Sequence, residues 1–288
     1  MCALALQIRY GKMPRKVISV MSNSGGVGKT TLTVNLAYQL ARKGKTVAMF
    51  GCDPNGSLTL FCGLDDPPAE QTMDWVLRSD FKGDYPLFPA WREHIKGIDA
   101  CLGGLPLTET SQRLVLDKRG AYLLADALED HPLPHDVVLI DCPGTIEHLH
   151  IAALAASTDV IITLKPEDKD MDAMAKLLEW ISVTRSELRL KPAPKIFGVV
   201  PNGAKNRAMH RDNLGLTEDI EGLPDIMRQM QIRMFPTIKD NAYVANAAAA
   251  GLPLGIYRAG EAANKLYEKI ALSVIQELDQ EMDQKGRA

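Results

Sequence analysis

Apolar residues in this chain come in short, nearly unbroken runs rather than in alternation with polar ones. Residues 17–21, 46–50, 136–140, 159–164 and 196–200 are such runs, rich in Val, Ile, Leu, Met and Phe. Strands covered on both faces read this way, whereas a sheet with one wet face alternates. Helical spacing lies between several of them. In 30–43, Leu32, Leu36, Ala37 and Leu40 share one face and Gly44 follows the end. Helices are also expected over 151–157 and 171–190, with Pro192 and Pro194 as stops, and over 260–282, where Leu266, Ile270, Val274 and Ile275 recur at helical spacing. Strand and helix in turn predict an α/β fold, doubly wound, with a mostly parallel twisted sheet and helices on both faces. No internal repeat or low-complexity linker interrupts the pattern. One domain over 16–285 is expected, after an N-terminal extension at 1–15. The stretch 65–135, with Trp75, Trp91, a Pro-rich part near Pro86 and Pro89, and Cys101-Leu102-Gly103-Gly104, reads as helices and one strand over one side of the core.

Composition narrows the picture little. The 288 residues carry a formal net charge of −3, which excludes a globally basic nucleic-acid binder but not a local basic face. No apolar run is long enough to span a membrane. Residues 1–13 lack the basic start and cleavage site of a secretory signal. The five cysteines, Cys2, Cys52, Cys62, Cys101 and Cys142, show no CxxC spacing. They fit a reducing cytoplasm and small buried positions rather than a zinc site or disulfides.

Chemistry enters at Asn23-Ser24-Gly25-Gly26-Val27-Gly28-Lys29-Thr30-Thr31. The glycine-rich turn, the Gly-Lys-Thr close, the strand before it and the helix after it are the setting of a phosphate-binding loop. Glycines allow positive φ, and their N–H groups converge on an anion together with the helix N-terminus. In this arrangement Lys29 faces the outer phosphates and Thr30 reaches Mg²⁺. Two aspartates end apolar runs on the edge where open α/β sheets bind ligands: Asp53 in Gly51-Cys52-Asp53-Pro54-Asn55, and Asp141 in Asp141-Cys142-Pro143-Gly144. A carboxylate there holds Mg²⁺, usually through water.

With these three motifs the chain resembles the ParA/MinD family of deviant Walker ATPases. The family pattern is Lys-Gly-Gly-x-Gly-Lys-Thr-Thr, Asp-x-Asp-Pro-Gln and Asp-x-Pro-Pro. Residues 238–255 are similar to the family's Ile-Pro-Arg-Asn segment, with its helix and Gly-x-Pro. The resemblance implies an ATPase with ATP and Mg²⁺ as cofactors. It also implies a homodimer that sandwiches two nucleotides, binds nonspecific DNA, and is released by a small adaptor protein that stimulates hydrolysis. Carried over by position, Ser24 to Thr31 bind ATP, with Lys29 on the β- and γ-phosphates and Thr30 on Mg²⁺. Asp53 orients the attacking water, so Asp53 and Lys29 are the catalytic candidates. Asp53 and Asp141 touch the metal through water, and Asn202 contacts adenine.

Ser24 is the main departure. The family's signature lysine, which reaches the partner's nucleotide, stands at that position. A missing cation facing polyphosphate is worth about 4 kcal/mol at an effective dielectric of ~20. Lys165 or Lys169, just past a strand end, is the expected substitute. Gly51 replaces the first switch aspartate, which is expected to slow turnover without a partner. Serine in place of the signature lysine resembles the McdA branch, ATPases that space carboxysomes on the nucleoid through the adaptor McdB. Plasmid partition with a ParB-like adaptor, and a nucleotide-gated scaffold with negligible hydrolysis, are the alternatives.

The DNA-binding candidates are Lys205, Arg207, Arg211, Arg228, Arg233 and Lys239, diluted by Asp212, Glu218, Asp219, Glu221 and Asp225. A basic position familiar in chromosomal members is Tyr243 here. The acidic, sparsely apolar end at 276–288 does not suit a membrane-binding amphipathic helix. A cytoplasmic, nucleoid-associated protein without membrane contact is expected. An iron–sulfur relative would need suitably placed cysteines, and only Cys101 and Cys142 come into question.

Overall fold

The computed structural model describes residues 16–285, so the expected extension at 1–15 lies outside the described residues. β1 (Lys16–Met21) runs through the glycine loop into α1 (Lys29–Arg42). β2 (Val47–Gly51) is followed by α2 (Ser57–Phe61) and α3 (Met73–Val76). Next come β3 (Phe88–Pro89), β4 (Ile98–Cys101), α4 (Pro106–Leu116) and α5 (Leu123–Asp130). β5 (Val137–Asp141), α6 (His148–Ala156), β6 (Asp159–Leu164) and α7 (Asp168–Glu187) continue the βα alternation. β7 (Lys195–Ala204), α8 (Ala208–Asn213), α9 (Leu223–Gln229), β8 (Ile238–Lys239), α10 (Ala242–Ala249), α11 (Leu254–Tyr257) and α12 (Ala263–Lys285) complete the described chain.

The strands form one eight-stranded sheet in the order β3-β4-β2-β5-β1-β6-β7-β8. The β3–β4 pair is antiparallel and the other neighbours are parallel. Successive side chains in a strand point to opposite faces, and both faces here are covered. Val138 and Ile140 pack in the layer of Leu124, Leu149 and Leu177, from α5, α6 and α7. Val137 and Leu139 pack in the other layer, with Leu36 and Leu40 of α1 and Ile270 of α12. That double burial is why the strands read as continuous apolar runs. From β1 the chain leaves toward β2 on one side and later returns to β6 on the other. The C-terminal end of β1 is therefore the switch point of the sheet, where a crevice opens.

The opposite end of β1 holds a buried charge. Lys16 is 1% exposed, with Nζ 2.9 Å from Asp159 and 3.0 and 3.1 Å from Glu277 and Glu281 of α12. An ammonium taken out of water persists only with such partners.

Element boundaries differ from the sequence expectation in informative ways. The 65–135 stretch contributes two strands rather than one, and β3 is the short antiparallel edge that apolar patterning does not mark. β7 continues past Val200 to Ala204, so Asn202 lies inside this strand. α7 stops at Glu187 before reaching the prolines, and the chain reverses at Arg189 with φ 52°.

Candidate nucleotide site

The glycine loop sits at the C-terminal end of β1, and its shape is fixed from below and behind. Gly28 caps α1 in the left-handed region, at φ 92°. Val27 points into the core, 1% exposed, and its carbonyl accepts hydrogen bonds from Thr163 Oγ1 at 3.3 Å and Asn202 Nδ2 at 2.8 Å. A Cβ on Gly28 would collide with the Asn202 amide, so β7 packs directly on the loop. This fixes the loop along the rim of the cleft, the setting in which the N–H groups of such a loop receive an anion.

Lys29 is buried, and Nζ donates to Ser22 Oγ and to the Ser24 carbonyl, both at 3.1 Å. Burial lowers its pKa, against the pull of the Asp141, Cys142 and Asp53 groups. Thr30 Oγ1 donates to Asp141 Oδ2 at 2.6 Å. Asp141 is fully buried at the end of β5, and Oδ1 has no hydrogen-bond partner. Burial pushes its carboxyl up to about 7, opposed by the Thr30 hydrogen bond and the charge of Lys29. Asp53 lines the same cleft, and its Oδ1 accepts from the N–H and the side-chain amide of Asn55, each at 2.9 Å. Gly144, where the family pattern has a proline, lies close against Gly25: a Cβ there would sit 3.3 Å from Gly25 Cα.

Between these walls lies an open cleft of about 370 Å³, lined by Gly25, Gly26, Gly28, Lys29, Thr30, Thr31, Asp53, Asn55, Ser57, Phe61 and Gly144. The donor set is a hydroxyl and two carboxylates. Hard oxygen donors of this kind suit Mg²⁺, which takes its remaining ligands from phosphate and water. The orphaned Asp141 Oδ1, in a site that otherwise penalises its charge, fits a nearby cation. Among the described residues no three His, Cys, Asp or Glu side chains cluster to hold a metal on their own. Cys52, Cys62, Cys101 and Cys142 are buried and free, and burial raises the pKa of each thiol.

The structure brings Ser24 to Thr31, Asp53 and Asp141 together, and sets Asn202 beneath the loop as a brace. Lys165 is half-buried, its stem beside Gly203, whereas Lys169 is exposed and 3.5 Å from Glu167. The six basic candidates do not form one patch. Lys205 follows the end of β7, while Arg233 stacks over Phe197 near its start, roughly 25 Å away by strand rise. Lys205, Arg228 and Arg233 pair with Asp240, Asp225 and Glu277. Arg207, Arg211 and Lys239 are exposed.

Some site residues escaped the sequence. Ser24 Oγ donates to Asp170 Oδ1 at 2.6 Å, linking the loop to the first turn of α7. Glu147, ahead of α6, accepts from Ser111 and has its pKa raised by burial, with the negative charge of Asp53 adding to the shift. His150 is fully buried edge-on to Trp180, and burial pushes its imidazole down to about 3. No motif marks Asp170, Glu147 or His150, which come from α7, the turn ahead of α6, and α6.

The profile of an AAA domain family, AAA_31, matches residues 15–192. The chain is 28% identical over 279 residues to the chromosome partitioning protein ParA of Caulobacter vibrioides, covering 96% of this chain and 98% of that one. It is 28% identical to the sporulation initiation inhibitor protein Soj of Bacillus subtilis, covering 90% and 98%. Among solved structures, a variant of Cyanothece McdA in complex with ATP superposes with a TM-score of 0.77 at 22% identity, over 92% of this chain and 97% of that one. The cell division ATPase MinD of Pyrococcus furiosus gives 0.68 at 20%, over 91% and 98%. With the glycine loop, Lys29, Thr30 and Asp53 lining one cleft, Asp141 buried against Thr30 behind it, and the profile spanning more than half of the sequence, the chain belongs to the ParA/MinD family of P-loop ATPases.

Proposed function

We propose that residues 16–285 act as one ATPase domain that binds ATP and Mg²⁺, dimerises around them, and positions or partitions a cargo on nonspecific DNA. The observation that carries this reading is the Thr30–Asp141 contact beside Lys29 on a cleft of nucleotide size. Bound Mg²⁺ would supply a Lewis acid at the phosphates. Thr30 would hold it, with Asp53 and Asp141 through water. Lys29, drawn from Ser22 and Ser24, would neutralise charge on the outer phosphates, and Asp53 would orient the attacking water. The loop N–H groups need no rearrangement at the moment of reaction, which is where such a site gains most.

A small adaptor, of the ParB or McdB kind, would stimulate hydrolysis and so release the dimer. Ser24 at the signature-lysine position and the McdA-like fold support carboxysomes as cargo, with plasmid partition as the alternative. The location would be the cytoplasm, on the nucleoid. Among the described residues no helix is long and apolar enough to cross a membrane. Lys165, held beside the strand that braces the loop, is the better candidate for the trans cation, with Lys169 second. Light scattering with ATP on Lys165→Ala and Lys169→Ala tests this: unchanged dimerisation in both removes the role. Duplex DNA binding that is equal in ATP and ADP would contradict the switch.

A second reading, a nucleotide-gated scaffold that barely hydrolyses, is favoured by the Asp53 carboxylate being held in its own turn by Asn55. Phosphate release measured with DNA and adaptor separates the two.

A further inference from the structure

The first turn of α7 is gripped from two sides by parts of the chain that do different things. On one side Ser24 of the glycine loop donates its hydroxyl to Asp170 at 2.6 Å. Asp170 is 2% exposed, and its other oxygen has no partner among the described residues. On the other side α8 is fastened to the same turn. Asn213 Nδ2 donates to Asp168 Oδ1 at 2.8 Å and to the Pro166 carbonyl at 3.2 Å. His210, 1% exposed, sets Nε2 3.9 Å from Glu167, while its Nδ1 accepts from the Lys205 N–H at 2.9 Å. Arg207 precedes α8 and Arg211 lies within it, both exposed and without a carboxylate partner among the described residues.

We infer that the first turn of α7 couples the nucleotide state of the glycine loop to the basic surface on α8. The lever is Lys29. Its ammonium donates to the Ser24 carbonyl, and phosphate oxygens compete for that donor as stronger, charged acceptors. Once Lys29 turns to a phosphate, the Ser24 carbonyl keeps only the Ser22 hydroxyl, at 2.7 Å, and the peptide reorients about that bond. The Ser24 hydroxyl remains tied to Asp170, so the movement passes to α7. The slot between Ser22–Ser24, Ile162–Leu164 and Asp170 has no room for a water-sized sphere. Close packing of this kind transmits a shift instead of absorbing it. Glu167 and Asp168 then carry α8, and with it Arg207 and Arg211. Asp170 is thus a positioning residue, acting through Ser24.

This inference rests on the reading of the chain as an ATP-gated DNA binder, and its test separates the two. A random-sequence duplex is titrated against wild type, Asn213→Ala, Asp170→Ala and Asp170→Asn, each with ADP and with a non-hydrolysable ATP analogue. Hydrogen–deuterium exchange of amides 205–216 is followed in parallel. Wild type is expected to bind the duplex about 10-fold tighter with the ATP analogue, and by linkage the duplex should tighten the analogue by the same factor. Exchange over α8 should differ between the two nucleotides. Asn213→Ala should bind the analogue as wild type does, yet lose both the duplex difference and the nucleotide-dependent exchange. Asp170→Ala should lose both as well, and Asp170→Asn, which keeps an acceptor for Ser24, should retain them. Nucleotide-dependent exchange over α8 that survives Asn213→Ala and Asp170→Ala overturns the coupling, as does its absence from wild type. Wild-type exchange that responds while the duplex binds equally in both states overturns the DNA reading alone and supports the coupling.

Discussion

Thr30 Oγ1 and Asp141 Oδ2 lie 2.6 Å apart, a hydroxyl donating to a carboxylate that solvent does not reach. The second oxygen of Asp141 is unpartnered among the described residues, and the proposed function makes the pair part of the Mg²⁺ site. Asp141→Asn keeps the shape and removes the charge. It is expected to lower Mg²⁺-dependent phosphate release at least about 100-fold, a loss of roughly 3 kcal/mol at the barrier. The circular dichroism spectrum should not change. Release at the wild-type rate would show that Asp141 does not serve the metal.

Gly28 and Asn202 fit each other. Gly28→Ala places a methyl group against the Asn202 amide and demands φ 92° of a non-glycine residue. The left-handed conformation alone costs about 1–2 kcal/mol. ATP binding, followed by calorimetry, should be lost. Adding Asn202→Gly relieves the collision but not the backbone strain, so the double variant is expected to recover binding only in part.

His150 gives the pH dependence a definite sign. Its folded-state pKa is about 3 because burial disfavours the imidazolium, with the charge of Lys29 adding to the effect. The unfolded chain takes up this proton near pH 6.5 and the folded chain does not. As pH falls below about 6.5, the group therefore costs roughly 1.4 kcal/mol of stability per pH unit, until the folded pKa is reached. Urea melts at pH 7.5 and pH 5 should differ more for wild type than for His150→Met, which has no proton to gain. Equal slopes would contradict the buried neutral state.

Lys16 and Asp159 are both 1% exposed and 2.9 Å apart. Lys16→Met leaves Asp159 without its cation in the core and is expected to cost about 3–5 kcal/mol. Replacing both partners with apolar residues should restore most of that stability, read from denaturant midpoints.

The sheet was legible because its interior strands are covered on both sides and so read as short continuous apolar runs, set between longer helical patterns. The glycine loop was legible because its signature, Gly25 to Thr31, is contiguous in the sequence. What stayed hidden depends on contacts between distant parts of the chain. β3 is two residues long and held by register with β4, not by its own pattern. Asn202 reads as a residue after a strand, yet its amide acts on Val27, 175 positions earlier. Asp170 looks like an ordinary acidic residue in a helix's first turn until Ser24 is found beside it. The basic candidates at 205–239 are near one another in the sequence, which does not show that Arg233 returns to the start of β7.

The charges gathered on Lys16 also decide how the protein can be handled. Glu277 and Glu281 reach that ammonium from the last turns of α12, at 3.0 and 3.1 Å. A fluorescent fusion made to watch the protein in a living cell can extend from beyond residue 285 without touching them. A truncation ahead of Glu277 would remove both carboxylates and leave the foot of β1 to Asp159 alone. Imaging with such a truncated reporter would then follow a damaged fold, and a diffuse signal from it would say nothing about where the intact protein goes.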